Sequence, residues 1–236
     1  MKRVSLFVFL AIACRRDVVE QASPPQSPQP EIRQQQQQQQ ALPRVAGPTL
    51  PFVDEATSDP TLVAYRNELL AAVRSRDLEA LMKLVDPKIR TSFGGGGGAE
   101  DFRRMFDDPK MWADLEQILT LGGTFLDAGD GKAFWAPYVY STWPEASDAF
   151  TSSAVIADDV PLLDQPNGKP IATLSRNIVE RVEAPGSLPG EWTQVKTTDG
   201  RTGYVASKSL RSPVAYRAGF NKEAERWRMT GLVAGD

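Results

Sequence analysis

The sequence predicts an α+β protein behind a disordered N-terminal tether, with helices and an antiparallel sheet in one part and a small β-barrel inserted into it. Three observations predict this. Apolar residues recur at helical spacing between residues 59 and 121, the pattern changes to strand-like alternation after Gly123, and residues 14–56 are rich in Pro, Gln and Ser.

The chain has 236 residues, one cysteine and no histidine, with a formal charge of −3. Without residues 1–13, which carry Lys2 and Arg3 and no acid, 25 basic residues face 30 acidic ones and the charge is −5. An acidic chain is poorly suited to nucleic acid, so no nucleic-acid partner is expected. The missing histidine excludes Ser-His-Asp and Cys-His nucleophile pairs. One cysteine cannot supply a zinc ligand set, and we expect neither a transition metal nor a cofactor.

Met1-Lys2-Arg3 followed by "VSLFVFLAIA" reads as a signal peptide over 1–13, because the apolar run is too short to cross a bilayer core of about 30 Å. Its end, "AIAC", resembles the bacterial lipoprotein signal, in which small residues precede a cysteine that is acylated and becomes the first residue. The resemblance implies lipidation at Cys14, with Ala11 standing where leucine is more common. Ala11-Ile12-Ala13 is also an A-x-A site for ordinary signal peptidase, which would leave Cys14 unmodified at the start of a soluble protein. Either route exports the protein. Lipidation would hold it on a membrane, facing the periplasm or the cell surface.

Residues 14–56, with "SPPQSPQP" and the run Gln34–Gln40, are expected to be a disordered linker. Extended at about 3.1 Å per residue, it would reach on the order of 100 Å.

Asp59-Pro60 signals a helix start, and Leu62, Tyr65, Leu69, Leu70 and Val73 form its apolar stripe. Asp77 starts a second stripe of Leu78, Leu81, Met82 and Val85, which Asp86-Pro87 should stop. Asp108-Pro109 precedes a third, Trp112, Leu115, Ile118 and Leu119, ended by Gly122-Gly123. Between them, "SFGGGGGAEDF" lacks the Gly-Lys-Ser/Thr of a phosphate loop and puts Glu100 and Asp101 where a phosphate would bind, so a flexible loop is expected.

"TFLDAGDGKAFWAPYVYSTWP" reads as strands around a Gly-Asp-Gly turn, with an aromatic run of Phe134, Trp135, Tyr138 and Tyr140. Residues 151–212 then give about five short strands. Val155, Val160, Leu162, Ile171, Leu174, Val179, Trp192, Val195, Tyr204, Val205 and Leu210 are placed to fill a small barrel. "VPLLDQPNGKPIATLSRNIV", "EWTQVKTTDGRTGYV" and "SKSL" resemble bacterial SH3 (SH3b) domains in order and spacing. The resemblance implies an accessory barrel that binds peptide or cell-wall components, with Trp192 and Tyr204 at positions of barrel aromatics.

After Pro213, Tyr216, Ala218 and Phe220 alternate on one run, and Trp227, Met229 and Val233 on the next. A lone hairpin is marginal, so residues 213–236 are expected to return to residues 57–150 as one α+β domain interrupted by the barrel at 151–212. That order of elements is similar to the ketosteroid-isomerase and nuclear-transport-factor cone, which implies a curved sheet with a pocket. The whole resembles an uncharacterised lipoprotein carrying an SH3-like domain.

The expected function is non-catalytic binding of a peptide, cell-wall component or envelope protein. The candidate ligand contacts are Trp135, Tyr138, Tyr140, Trp192 and Tyr204. The alternative is a small-molecule binder or a carboxylate- or tyrosine-dependent enzyme using the α+β pocket, with Asp107, Asp127 and Asp148 as acids that also read as turn or cap residues.

Overall fold

Asp59 sets the start of the first helix, because the opening N–H groups of a helix have no partner within it. Its carboxylate accepts from Thr61 N at 2.8 Å, Leu62 N at 3.3 Å and Thr61 Oγ1 at 2.6 Å. The Thr61 hydroxyl and these amides hold the acid down at about 2. Helix α1, Pro60–Ser75, buries Leu62, Tyr65, Leu69, Ala72 and Val73. Asp77 caps α2, Leu78–Leu84. The helix ends ahead of Asp86-Pro87, as that stop signal implies, and the chain continues as strand β1, Val85–Arg90. Helices α3, Ala99–Met105, and α4, Lys110–Thr120, follow.

The computed structural model describes residues 42–129, 131–182 and 190–235. The signal peptide, Cys14 and the glutamine run lie outside them. Among the described residues no helix is long and apolar enough to cross a membrane.

Strands β2, Thr124–Ala128, and β3, Gly131–Ala136, join β11, Arg217–Glu223, and β12, Arg226–Val233, in a five-stranded sheet of order β1-β12-β11-β3-β2. Its pairs are antiparallel except β1 with β12, which are joined by no hairpin and run parallel. Phe134, Phe220, Trp227, Met229 and Leu232 face the helices and pack with Leu62, Tyr65, Leu69, Leu115 and Ile118. Val233 was expected on this face and is not there. The β11–β12 register pairs Phe220 with Met229 and Gly219 with Gly231, leaving Thr230 as an extra residue in β12. Such a bulge reverses the alternation beyond it, so Leu232 enters the core and Val233 turns to the other face.

The second sheet holds β4, Ser152–Val155; β5, Val160–Leu163; β6, Pro170–Leu174; β7, Ile178–Arg181; β8, Trp192–Lys196; β9, Thr202–Ala206; and β10, Leu210–Arg211. Its order is β10-β4-β7-β8-β9-β5-β6. The expected closed barrel is not formed: β10 and β6 are outer strands, with no pairing between them among the described residues. Its core contains Val155, Val160, Leu162, Ala172, Leu174, Val179, Val195 and Val205. Ile171 is exposed, because the period of two that buries Ala172 and Leu174 turns it outward. Trp192 and Tyr204 are half-buried on the face opposite Val195 and Val205.

The end of the predicted linker is also folded. Val45 and Leu50 are buried, and Asp54 bonds Arg66 of α1 through two contacts of 2.8 Å. Proline-rich composition obscured this: prolines lack N–H donors, but their carbonyls can still accept bonds from a sheet.

From Leu42 onward the described residues form one compact unit that includes both sheets. Helix α5, Tyr138–Ser141, buries Tyr138 and Val139 against Leu50, Ala154 and Ile178. From β10, the Arg211 guanidinium pairs with Asp114 and donates to Gln117 Oε1 at 2.7 Å, both on α4.

Tyr65 ties α1 to two further elements, donating to Leu84 O at 2.7 Å and accepting from Met229 N at 2.7 Å. Burial pushes its phenol upward. Tyr65→Phe leaves both backbone groups without this partner, and urea unfolding should show a loss of about 1–3 kcal/mol; an unchanged midpoint would contradict the bridging role.

Candidate functional site

Strand alternation puts Trp135 on the face of the first sheet opposite Phe134. Its cross-strand partner is Gly219, which is itself opposite Gly231. A Cβ on Gly219 would lie 2.9 Å from Trp135 Cη2 and 3.0 Å from Cζ2, whereas one on Gly231 would keep 3.9 Å from Cη2. The indole therefore lies over bare backbone on β11 and reaches toward β12.

Tyr140 of α5 meets it with ring centroids 5.5 Å apart. Arg217, two residues before Gly219 and on the same face, is 4% exposed. Its guanidinium carbon lies 4.4 Å from the Tyr140 ring centroid and 4.9 Å from that of Phe93, and Nη1 donates to Gly235 O at 2.6 Å. Arg90, ending β1, stands 5.7 Å from the same Phe93 ring. The negative faces of these rings attract such cations.

The glycine loop delivers Phe93. Gly95–Gly98 all have positive φ, from 87° to 140°. That conformation lets the chain fold back on β1, where Gly98 N donates to Ile89 O at 2.7 Å. Asp101 Oδ2 accepts from Gly97 N at 2.8 Å, so a carboxylate occupies the amide that a phosphate loop would offer to its ligand.

Beside the indole is a cleft of about 360 Å³ lined by Arg90, Trp135, Asn221, Glu223, Thr230 and Val233. The bulge puts Thr230 here, where its hydroxyl donates to Asn221 Oδ1 at 2.7 Å. Arg90 is exposed and makes no ion pair with another described residue. The cleft thus offers an apolar wall, a hydrogen-bonding floor and a cation at the rim, a combination suited to an amphipathic group. A larger groove of about 520 Å³ lies between α1 and β12. Its aromatic groups serve the fold: Tyr65 makes the bridge described above, and Trp227 Nε1 donates to Thr61 Oγ1 at 3.1 Å.

Of the five aromatic candidates, the structure brings together Trp135 and Tyr140. Tyr138 is fully buried, edge-on to Phe52 at 5.4 Å, with its hydroxyl 3.5 Å from Arg176 Nη1. Burial pushes its phenol upward. Trp192 and Tyr204 belong to the second sheet and do not line this cleft. Cys14 lies outside the described residues. Among the acids, Asp107 and Asp127 are exposed. Asp148 accepts from Phe150 N at 2.7 Å and Thr151 N at 3.3 Å, and these amides hold it below the usual carboxylate range. Sequence reasoning missed Arg90, Phe93, Arg217 and the Gly219–Gly231 pair. The available signal was the two glycines inside facing strands, which mark close approach of another group.

No family model matches the chain, and no curated protein matches it. Among solved structures, it is similar to an NTF-2 like protein of unknown function from Shewanella oneidensis MR-1, at 14% identity and a TM-score of 0.28, covering 76% of this chain and 99% of that one. It is also similar to a protein of unknown function with a cystatin-like fold from Nostoc punctiforme PCC 73102, at 9% identity and a TM-score of 0.26, covering 77% and 92%. An NTF2-like protein of unknown function from Pseudomonas putida KT2440 matches at 8% identity and a TM-score of 0.25, covering 78% and 89%.

Proposed function

We propose that the protein is a lipid-anchored, non-catalytic binding protein of the cell envelope, and that the cleft beside Trp135 receives an amphipathic group of a peptide, cell-wall component or partner protein. The observation that carries this reading is the half-buried indole lying over Gly219, with an exposed Arg90 at the rim of the same cleft. Tryptophan and arginine are the residues most often found to anchor a bound partner. Buried aromatic contacts supply much of the affinity at such sites, and the polar floor sets orientation. The signal sequence, Cys14 and the resemblance of residues 151–212 to bacterial SH3 domains support the envelope location.

Titration with soluble muropeptides and with peptides derived from envelope proteins should give saturable binding that weakens at least about tenfold in Trp135→Ala, a change of about 1.4 kcal/mol. Gly219→Val, which drives a side chain into the indole, should weaken it as well. Binding indifferent to both substitutions, or no saturable binding to any of these probes, contradicts the assignment. For the anchor, mass spectrometry of the native N-terminus should find an acylated Cys14 that Cys14→Ala abolishes. An unlipidated chain retaining Met1 contradicts it.

A further inference from the structure

Residues 43–50 lie against the second sheet as an added, extended segment. Val45 N donates to Thr173 O at 2.9 Å, and Thr173 N donates to Pro43 O at 2.9 Å. Farther along, Leu50 N donates to Arg176 O at 2.8 Å and Ile178 N to Pro48 O at 2.9 Å. The prolines sit where only a carbonyl is needed, and the donors come from non-proline residues. Val45 enters the core cluster of Leu162, Ala172 and Leu174. Gly47, at φ 137°, passes so close to Thr198 that a Cβ would lie 1.9 Å from its Oγ1, which donates to Ala46 O at 3.1 Å. Arg44 pairs with Asp159 at 2.7 Å and donates to Ser175 Oγ at 3.0 Å.

Each position thus has its own requirement: a carbonyl at 43, a cation at 44, a β-branched apolar group at 45, no side chain at 47, a carbonyl at 48 and an apolar group at 50. We propose that this groove is a binding site for an extended polypeptide segment of the pattern Pro-Arg-Val-x-Gly-Pro-x-Leu, which the chain fills in cis. Strand addition of this kind takes affinity from main-chain bonds and specificity from alternate side chains. The segment lies at the start of the compact unit that begins at Leu42, so its withdrawal interrupts no other strand. Withdrawal leaves Thr173 on the outer strand β6, and Ile178 at the start of β7 before its pairing with β8, open to a segment of the same chemistry from another polypeptide.

The probe is a labelled peptide with the sequence of residues 42–53, titrated against the full chain. Gly47→Val in the protein prevents its own segment from seating and leaves the groove residues unchanged. The peptide should bind this variant at least about tenfold more tightly than wild type, because the cis occupant lowers apparent affinity by its occupancy. A peptide carrying the same valine should bind neither protein. Trp135→Ala should leave this binding intact, which separates it from occupancy of the aromatic cleft. In wild type, the Thr173 and Ile178 amides, which the segment covers, should exchange with deuterium at least about tenfold faster than those of β8, reporting local release. No binding to a folded Gly47→Val protein, loss of its fold, or exchange of Thr173 and Ile178 together with β8 would each show the segment to be an inseparable part of the core and overturn the proposal.

Discussion

An indole can lie across a β-sheet only where the neighbouring strand carries no side chain beneath it, and Gly219 meets that condition for Trp135. The rest of the candidate site follows from this one clearance. The bulge at Thr230 keeps Gly231 opposite Gly219 and brings Thr230 and Val233 to the cleft. Arg217, on the same face of β11, is held by the Tyr140 and Phe93 rings. A large side chain at 219 would displace the indole and with it the contact to Tyr140.

The packing beneath the site is held from the other face of the sheet and from the second sheet. Tyr65 links α1 to β12 and to the end of α2. Arg211 joins β10 to α4 through a largely buried ion pair with Asp114, and the added bond to Gln117 offsets part of the desolvation that such a pair incurs. Tyr138 and Leu50 pack together with residues of β4 and β7. Tyr138 and Tyr140 thus have different tasks, although they are two residues apart on α5. In a helix that spacing turns the side chains about 200° from one another, so one enters the core while the other meets Trp135.

The helices were legible because Leu62, Tyr65, Leu69 and Val73 repeat at a period that few other structures produce, and because Asp59 and Asp77 supply caps. Asp86-Pro87 correctly marked the end of α2, but nothing local showed that the same residues form strand β1, because its pairing partner lies more than a hundred residues away. Tyr138 and Tyr140 sat in a run that reads as strand, so their separation by α5 was invisible. The segment at 43–50 was concealed by composition, since its order depends on partners such as Thr173 and Ile178 rather than on its own propensity. Trp135 and Tyr140 could be selected because they belong to an aromatic run. Arg90, Phe93 and Arg217 join them only through the sheet register and the fold of the glycine loop, neither of which is a local property of the chain.

The placement of the indole over Gly219 is most directly measured by proton NMR of the isotopically labelled protein. Ring-current shielding should move the Gly219 Hα resonances away from ordinary strand values, with nuclear Overhauser contacts to the Trp135 Hη2 and Hζ2 protons, and Trp135→Ala should remove both effects. Ordinary Gly219 Hα shifts that the substitution leaves unchanged, without contacts to the ring, would contradict the account.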